Sequence, residues 1–280
     1  MGDIYRGDML STAGEVPIET MPFEEYEKVE HESPYVLGLQ KGSKGLAFFG
    51  ARHTKDPSDR SFFQLREGFS EVRPEVVVVE SPTVLNTDAR ARFLKRISGL
   101  DEAAAIGIFG ESALSIKLAM ESGAEIICPE PSIKEEVEGL QKKGFSCEAI
   151  FVYLVTRSDH WPPESNEKTI ADFYRGELKD FAEIIAWPDF DFSFEHLKSI
   201  VEKYFGGFSK LRTHPEMNLP KDCINEIDLV ARASVVFRDQ VIVKKIRELL
   251  KKHNRLFVSY GTSHAVMQEG ALRKIFEKEL

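Results

Sequence analysis

The feature that most constrains this chain is a set of short apolar runs that lack the alternation of a half-exposed strand. Four consecutive valines at 76–79 are the plainest case. LAFF (46–49), AAAIGIF (103–109), EIIC (125–128), AIFVYLV (149–155) and RLFVSY (255–260) read the same way. Continuous apolar runs suit strands covered on both faces in a mainly parallel sheet. Between them, 59–71, 88–97, 111–122 and 132–143 carry helical patterns. That alternation predicts an α/β fold, a mainly parallel or mixed sheet flanked by helices.

Residues 1 to about 34 are polar, acidic and broken by Gly and Pro, and read as an N-terminal arm. Residues 35–280 then form a single α/β catalytic domain. Within it, about 156–225 reads as a helical insertion or lid, with helices near 170–184 and 194–205, followed by a long helix over about 226–252. The N-terminus has neither a basic nor an apolar signal region, and no apolar run approaches a membrane span, so a soluble cytoplasmic protein is expected. Cys128, Cys147 and Cys223 show no paired spacing, which argues against a zinc knuckle or a disulfide framework. A formal net charge of -9 disfavours nucleic acid as a partner and leaves metal cations or small substrates.

The residues at the ends of these runs carry the candidate chemistry. LAFF leads into Gly50-Ala51-Arg52-His53, VVVV into Glu80, AAAIGIF into Gly110-Glu111, and RLFVSY into Gly261-Thr262-Ser263-His264. The exits of parallel strands share one sheet edge, where α/β proteins place their ligands. If these four neighbour one another, two histidines and two glutamates converge on one pocket. The glycines let the chain turn sharply and leave room beside the backbone.

Each residue also has a plain structural explanation. His53 could be a loop histidine, Glu111 a complement to a helix N-terminus, and Glu80 half of an ion pair. His264 opens the helix AVMQEGALRKIFEKEL, with Thr262 or Ser263 as N-cap, and a helix N-terminus would keep its imidazole neutral. Arg238 lies within an apolar stripe of Ala231, Val235, Ile242 and Leu249, so it must find a carboxylate or an anion. It either forms a structural Arg-Glu pair, or orients Glu80 or Glu111, or stabilises an oxyanion, while Asp239 beside it reads as a capping or surface residue. His160, His214, Ser81 and Ser263 are weaker candidates. There is no Walker A motif, no G-x-G-x-x-G and no H-E-x-x-H.

In this order, FFGARH, RPEVVVVES, GESALSIKLAMESGAEII and FRDQVIVKKIRELLKKHNRLFVSYGTSHAV resemble the TraB/PrgY and TIKI family, within the erythromycin esterase and ChaN-like superfamily. That pattern has two G-x-x-H motifs, a Glu after a core strand, a Gly-Glu opening a helix and an Arg on a later helix. Here these fall on His53 and His264, Glu80, Glu111 and Arg238. The chain departs from it at Pro129-Glu130-Pro131 and in the AVMQEGAL that comes after His264. The resemblance implies metal-dependent peptide hydrolysis with manganese or cobalt for the TIKI branch, ester hydrolysis by a histidine base for the esterases, and haem binding for the ChaN branch.

The expected function is thus hydrolysis of a peptide or small-molecule amide or ester. His53, Glu80 and His264 would hold a divalent Mn, Co or Zn ion, with Glu111 as base or further ligand and Arg238 at the oxyanion. The alternatives are a metal-independent esterase with a histidine base, and a haem or small-molecule binding protein. A homo-oligomer is left open.

Overall fold

A computed structural model of the chain describes residues 17–80, 87–157, 167–212, 223 and 225–280. They divide into two compact units, one reaching to Pro131 and resuming at Arg238–Leu280, the other Ser132–Phe237. The expected helical insertion, about 156–225, falls within the second unit.

In chain order the first unit holds α1 (Phe23–Tyr26), β1 (Tyr35–Lys41), β2 (Lys44–Ala51), α2 (Arg60–Val72), β3 (Val76–Val79), α3 (Thr87–Ser98), α4 (Glu102–Ser122) and β4 (Glu125–Ile127). The second holds α5 (Ile133–Lys142), α6 (Cys147–Thr156), α7 (Glu167–Ile185), α8 (Phe194–Phe205) and α9 (Phe208–Arg212). The long helix α10 (Glu226–Lys252) belongs to the second unit as far as Phe237 and to the first from Arg238. The chain ends in the first unit with β5 (Arg255–Gly261) and α11 (Thr262–Lys278).

The structure is mixed α/β. Its five-stranded sheet has the order β1-β2-β5-β3-β4, with β1 antiparallel to β2 and the other pairs parallel. The valine run shows why alternation is missing from the sequence. Val76 and Val78 enter a core with Ile242, Ile246, Leu272 and Ile275 of α10 and α11, while Val77 and Val79 enter another with Leu65 of α2 and Leu114 of α4. Both faces are covered, so every position is apolar.

Two expected strands are helices. AAAIGIF is in the first part of α4, which is capped by Asp101, whose side chain accepts the Ala104 amide at 2.7 Å. Its alanines are strong helix formers, and a capping Asp precedes them. AIFVYLV lies in α6, capped by Ser146, and residues 149–156 are all buried. A helix buried on every side shows no 3.6-residue period, so sequence pattern cannot separate it from a strand. By length and hydropathy α4 could also cross a membrane, contrary to the expectation that no run would; 56% of its apolar window is buried inside the protein.

The strand β1 has no counterpart among the expected strands. It lies at the sheet edge, and only Leu37 of its seven residues is buried. In the described part of the arm, Met21 N donates to Met267 O at 2.8 Å and Phe23 is buried, so this stretch packs on α11.

Candidate metal centre

The two G-x-x-H motifs occupy neighbouring parallel strands, with Gly50 opposite Tyr260 and Ala51 opposite Gly261. Their glycines interlock. A Cβ on Gly50 would come within 2.8 Å of Ala265 Cβ and 3.1 Å of Thr262 Cα, and a Cβ on Gly261 would overlap the His53 imidazole at Nε2. Glycine is needed here for close approach. The N-cap of α11 is Gly261, which makes no side-chain cap, rather than Thr262 or Ser263. The Thr262 hydroxyl instead reaches the Gly50 and Ala51 carbonyls at 3.0 and 2.9 Å, tying α11 to β2.

His53 sits at φ 54°, a left-handed conformation rare for a residue with a Cβ, and its side chain is 59% exposed. Its Nδ1 meets Glu111 Oε1 at 2.7 Å. Glu111 is brought there by a break inside α4, not by the strand exit that the sequence pattern implies. Gly110 adopts φ 61° and ψ −141°, a conformation essentially closed to other residues. The helix turns aside at that point and delivers a buried carboxylate to the mouth of the sheet.

Glu80 comes directly after β3, and its Oε2 accepts the Gly261 amide at 3.1 Å. Its Oε1 lies 3.8 Å from His264 Nε2 and 3.6 Å from the Arg238 guanidinium. Burial alone would raise its pKa, but the charges of His264, Arg238 and His53 and the Gly261 N–H outweigh burial and hold it below the ordinary value. Arg238 makes a two-pronged pair with Glu130, Nε to Oε2 at 2.8 Å and Nη2 to Oε1 at 3.0 Å. The structural Arg-Glu pair expected as one alternative is thus formed with Glu130, and the same guanidinium lies close enough to Glu80 to orient it, while Glu111 is bound elsewhere.

His264 is buried, with Nδ1 bonded to Asp239 Oδ1 at 2.6 Å. Gln268 Nε2 donates to the same oxygen at 2.7 Å. Burial is the largest influence on His264 and pushes its pKa down, but the charge and hydrogen bond of Asp239, with the charge of Glu80, push it up further. The net shift is upward. The pull of the helix N-terminus toward the neutral imidazole is opposed by the carboxylates at its two nitrogens.

The five residues singled out in the sequence thus gather at one end of the sheet. One donor atom each from His53, Glu80 and Glu111 lies within 4.8 Å of the others. His264 stands outside that trio and joins it through Glu80. Ser81, His160 and His214 lie outside the described residues.

Sequence pattern missed Asp239 and Glu130. Asp239 is fully buried, not a surface or capping residue. It lies four residues after Val235 and three before Ile242, so the apolar stripe carried the signal. Glu130 was legible only as a carboxylate between two prolines after β4.

Formally, four carboxylates (Glu80, Glu111, Glu130 and Asp239) face one guanidinium and two imidazoles. The trio's mixed nitrogen and oxygen donors suit Mn, Co or Zn. The trio is a candidate site for a divalent cation. No protein-family model, curated protein or solved structure matches this chain.

Proposed function

We propose that this protein is a metal-assisted hydrolase of an amide or ester bond in a peptide or small molecule, as its resemblance to the TraB/PrgY and TIKI family implies. The observation that carries the reading is the His53–Glu80–Glu111 trio, with donor atoms within 4.8 Å of one another at one end of the sheet. When bound, a divalent ion polarises a scissile carbonyl and acidifies a water. His53, Glu80 and Glu111 would hold it. Arg238, fixed by Glu130, keeps the Glu80 carboxylate ionised and turned toward His264. The contact of His53 Nδ1 with Glu111 Oε1 at 2.7 Å orients that imidazole.

Elemental analysis of freshly purified protein, followed by titration of the stripped protein with Mn²⁺, Co²⁺ and Zn²⁺, tests this. Near-stoichiometric metal is expected, with affinity falling at least tenfold in His53→Ala and Glu111→Gln. A folded wild-type chain that binds none of the three ions overturns the reading.

A metal-free second reading is supported by the His53–Glu111 pair, an exposed imidazole oriented by a buried carboxylate at 2.7 Å. It makes His53 a general base with no need of metal. Ester or peptide hydrolysis that survives chelation and is lost in His53→Ala would select it.

A further inference from the structure

Both imidazoles at this sheet edge carry a carboxylate on Nδ1, but only one of the two pairs is sealed. His53 is 59% exposed, whereas His264 is 8% and Asp239 0% exposed. Asp239, on α10, receives the His264 ring and the Gln268 amide on the same oxygen, Oδ1. Gln268 is one turn after His264 on α11, so two helices clamp the ring from behind. Tyr260 meets it edge-on, with ring centroids 5.5 Å apart. Only Nε2 is left to face the site, 3.8 Å from Glu80 Oε1.

Three observations make this clamp more than packing. Burying a carboxylate is costly unless both oxygens are paired, yet Asp239 Oδ2 has no hydrogen-bond partner among the described residues. Gln268 Oε1 and Tyr260 OH, also buried, lack partners among those residues too. A side chain kept for stability would satisfy its polar atoms, and exceptions of this kind accompany functional sites. The free nitrogen also stands at a suitable distance. Two donors each about 2.1 Å from one ion are at most about 4.2 Å apart, and the 3.8 Å between Nε2 and Oε1 is within that reach.

We infer that Asp239 is a positioning residue for cation binding: it holds His264 with a proton on Nδ1 and the Nε2 lone pair directed toward Glu80, so that a cation held on Glu80 Oε1 meets His264 as a further donor. This rests on the proposed metal-assisted function. A carboxylate behind a metal-binding histidine fixes its tautomer and orientation, and its loss weakens metal binding about 10–100-fold.

The test titrates the stripped full-length protein with Zn²⁺ and Mn²⁺ alone, as wild type and as Asp239→Asn. The amide has the shape of the carboxylate and keeps an oxygen for Gln268, but removes the charge behind the ring. A cation affinity about 10–100-fold weaker supports the proposal, and an affinity within twofold of wild type overturns it while leaving the metal reading intact. A wild-type chain that binds neither ion overturns both. A second measurement uses wild type only and stands even if the variant does not fold. In long-range ¹H–¹⁵N spectra of histidine-labelled protein, Zn²⁺ should shift the His264 Nε2 resonance and leave the Nδ1 proton in place. A shift at Nδ1, or at neither ring nitrogen, overturns the assignment.

Discussion

Each unit contains a buried polar cluster, and the two are built differently. In the second unit, Glu136 accepts from Arg157 at 2.6 and 3.0 Å and from Ser234 at 2.5 Å, and Ser234 in turn accepts from Tyr153 at 3.0 Å. The Arg157 guanidinium lies over the Tyr153 ring at 5.4 Å. None of its buried side-chain atoms is left without a hydrogen-bond partner. The cluster at the sheet edge of the first unit is acidic in formal charge, opens to solvent at His53, and leaves Asp239 Oδ2, Gln268 Oε1 and Tyr260 OH without partners among the described residues. A closed network holds a fold together, whereas an open one with unmatched donors and acceptors is arranged for something that arrives from outside.

The comparison breaks most visibly at Glu136. Replacing it with Ala leaves the Arg157 charge, 11% exposed, without this carboxylate. A loss of about 3–5 kcal/mol in denaturant unfolding is expected. A loss below about 1 kcal/mol would show that the closed cluster is not structural.

The open cluster should respond in the opposite way. In Gly261→Ala the new methyl takes the space of the His53 imidazole, an exposed side chain two residues past the end of β2. Stability should change by less than about 1 kcal/mol, while calorimetric cation affinity should fall at least tenfold. Preserved affinity would mean that His53 does not need its present place.

The smallest expected effect is in the pH dependence of the stripped protein. His264 has a raised pKa, so its contribution to stability is complete below the ordinary histidine value of about 6.5 and disappears as pH rises through the folded-state value. Glu80 has a lowered pKa, so its contribution is present above the ordinary carboxylate value and disappears as pH falls through the folded-state value. Melting temperature should therefore decline on both sides. Asp239→Asn should flatten the alkaline side alone, and an unchanged alkaline slope would remove His264 as its source.

Much of the candidate site is legible in the sequence because its residues come after strands of unusual composition. Val76–Val79 and Arg255–Gly261 are bounded by charged or glycine residues, and the two G-x-x-H motifs stand at matching places after β2 and β5. Glu111 reaches the site by a different route from the one its sequence context implies. Ala103–Phe109 reads as a strand leading to it, and the structure delivers it through the break at Gly110. The glycine is visible in the sequence, but the backbone conformation that makes it useful is not.

Local pattern thus determined four of the five strands, β2 to β5, that helices flank the sheet, and which side chains follow β2, β3 and β5. Those properties depend on neighbours a few residues away, and composition and spacing record them. The tertiary structure alone decided that β5, late in the chain, inserts between β2 and β3 and carries His264 beside Glu80. It also decided that Asp239 turns inward to His264 and that Glu130 holds Arg238. Strand order and the choice of ion-pair partner are contacts across 25 to more than 180 residues, set by competition among whole packings, and no window of sequence contains that competition.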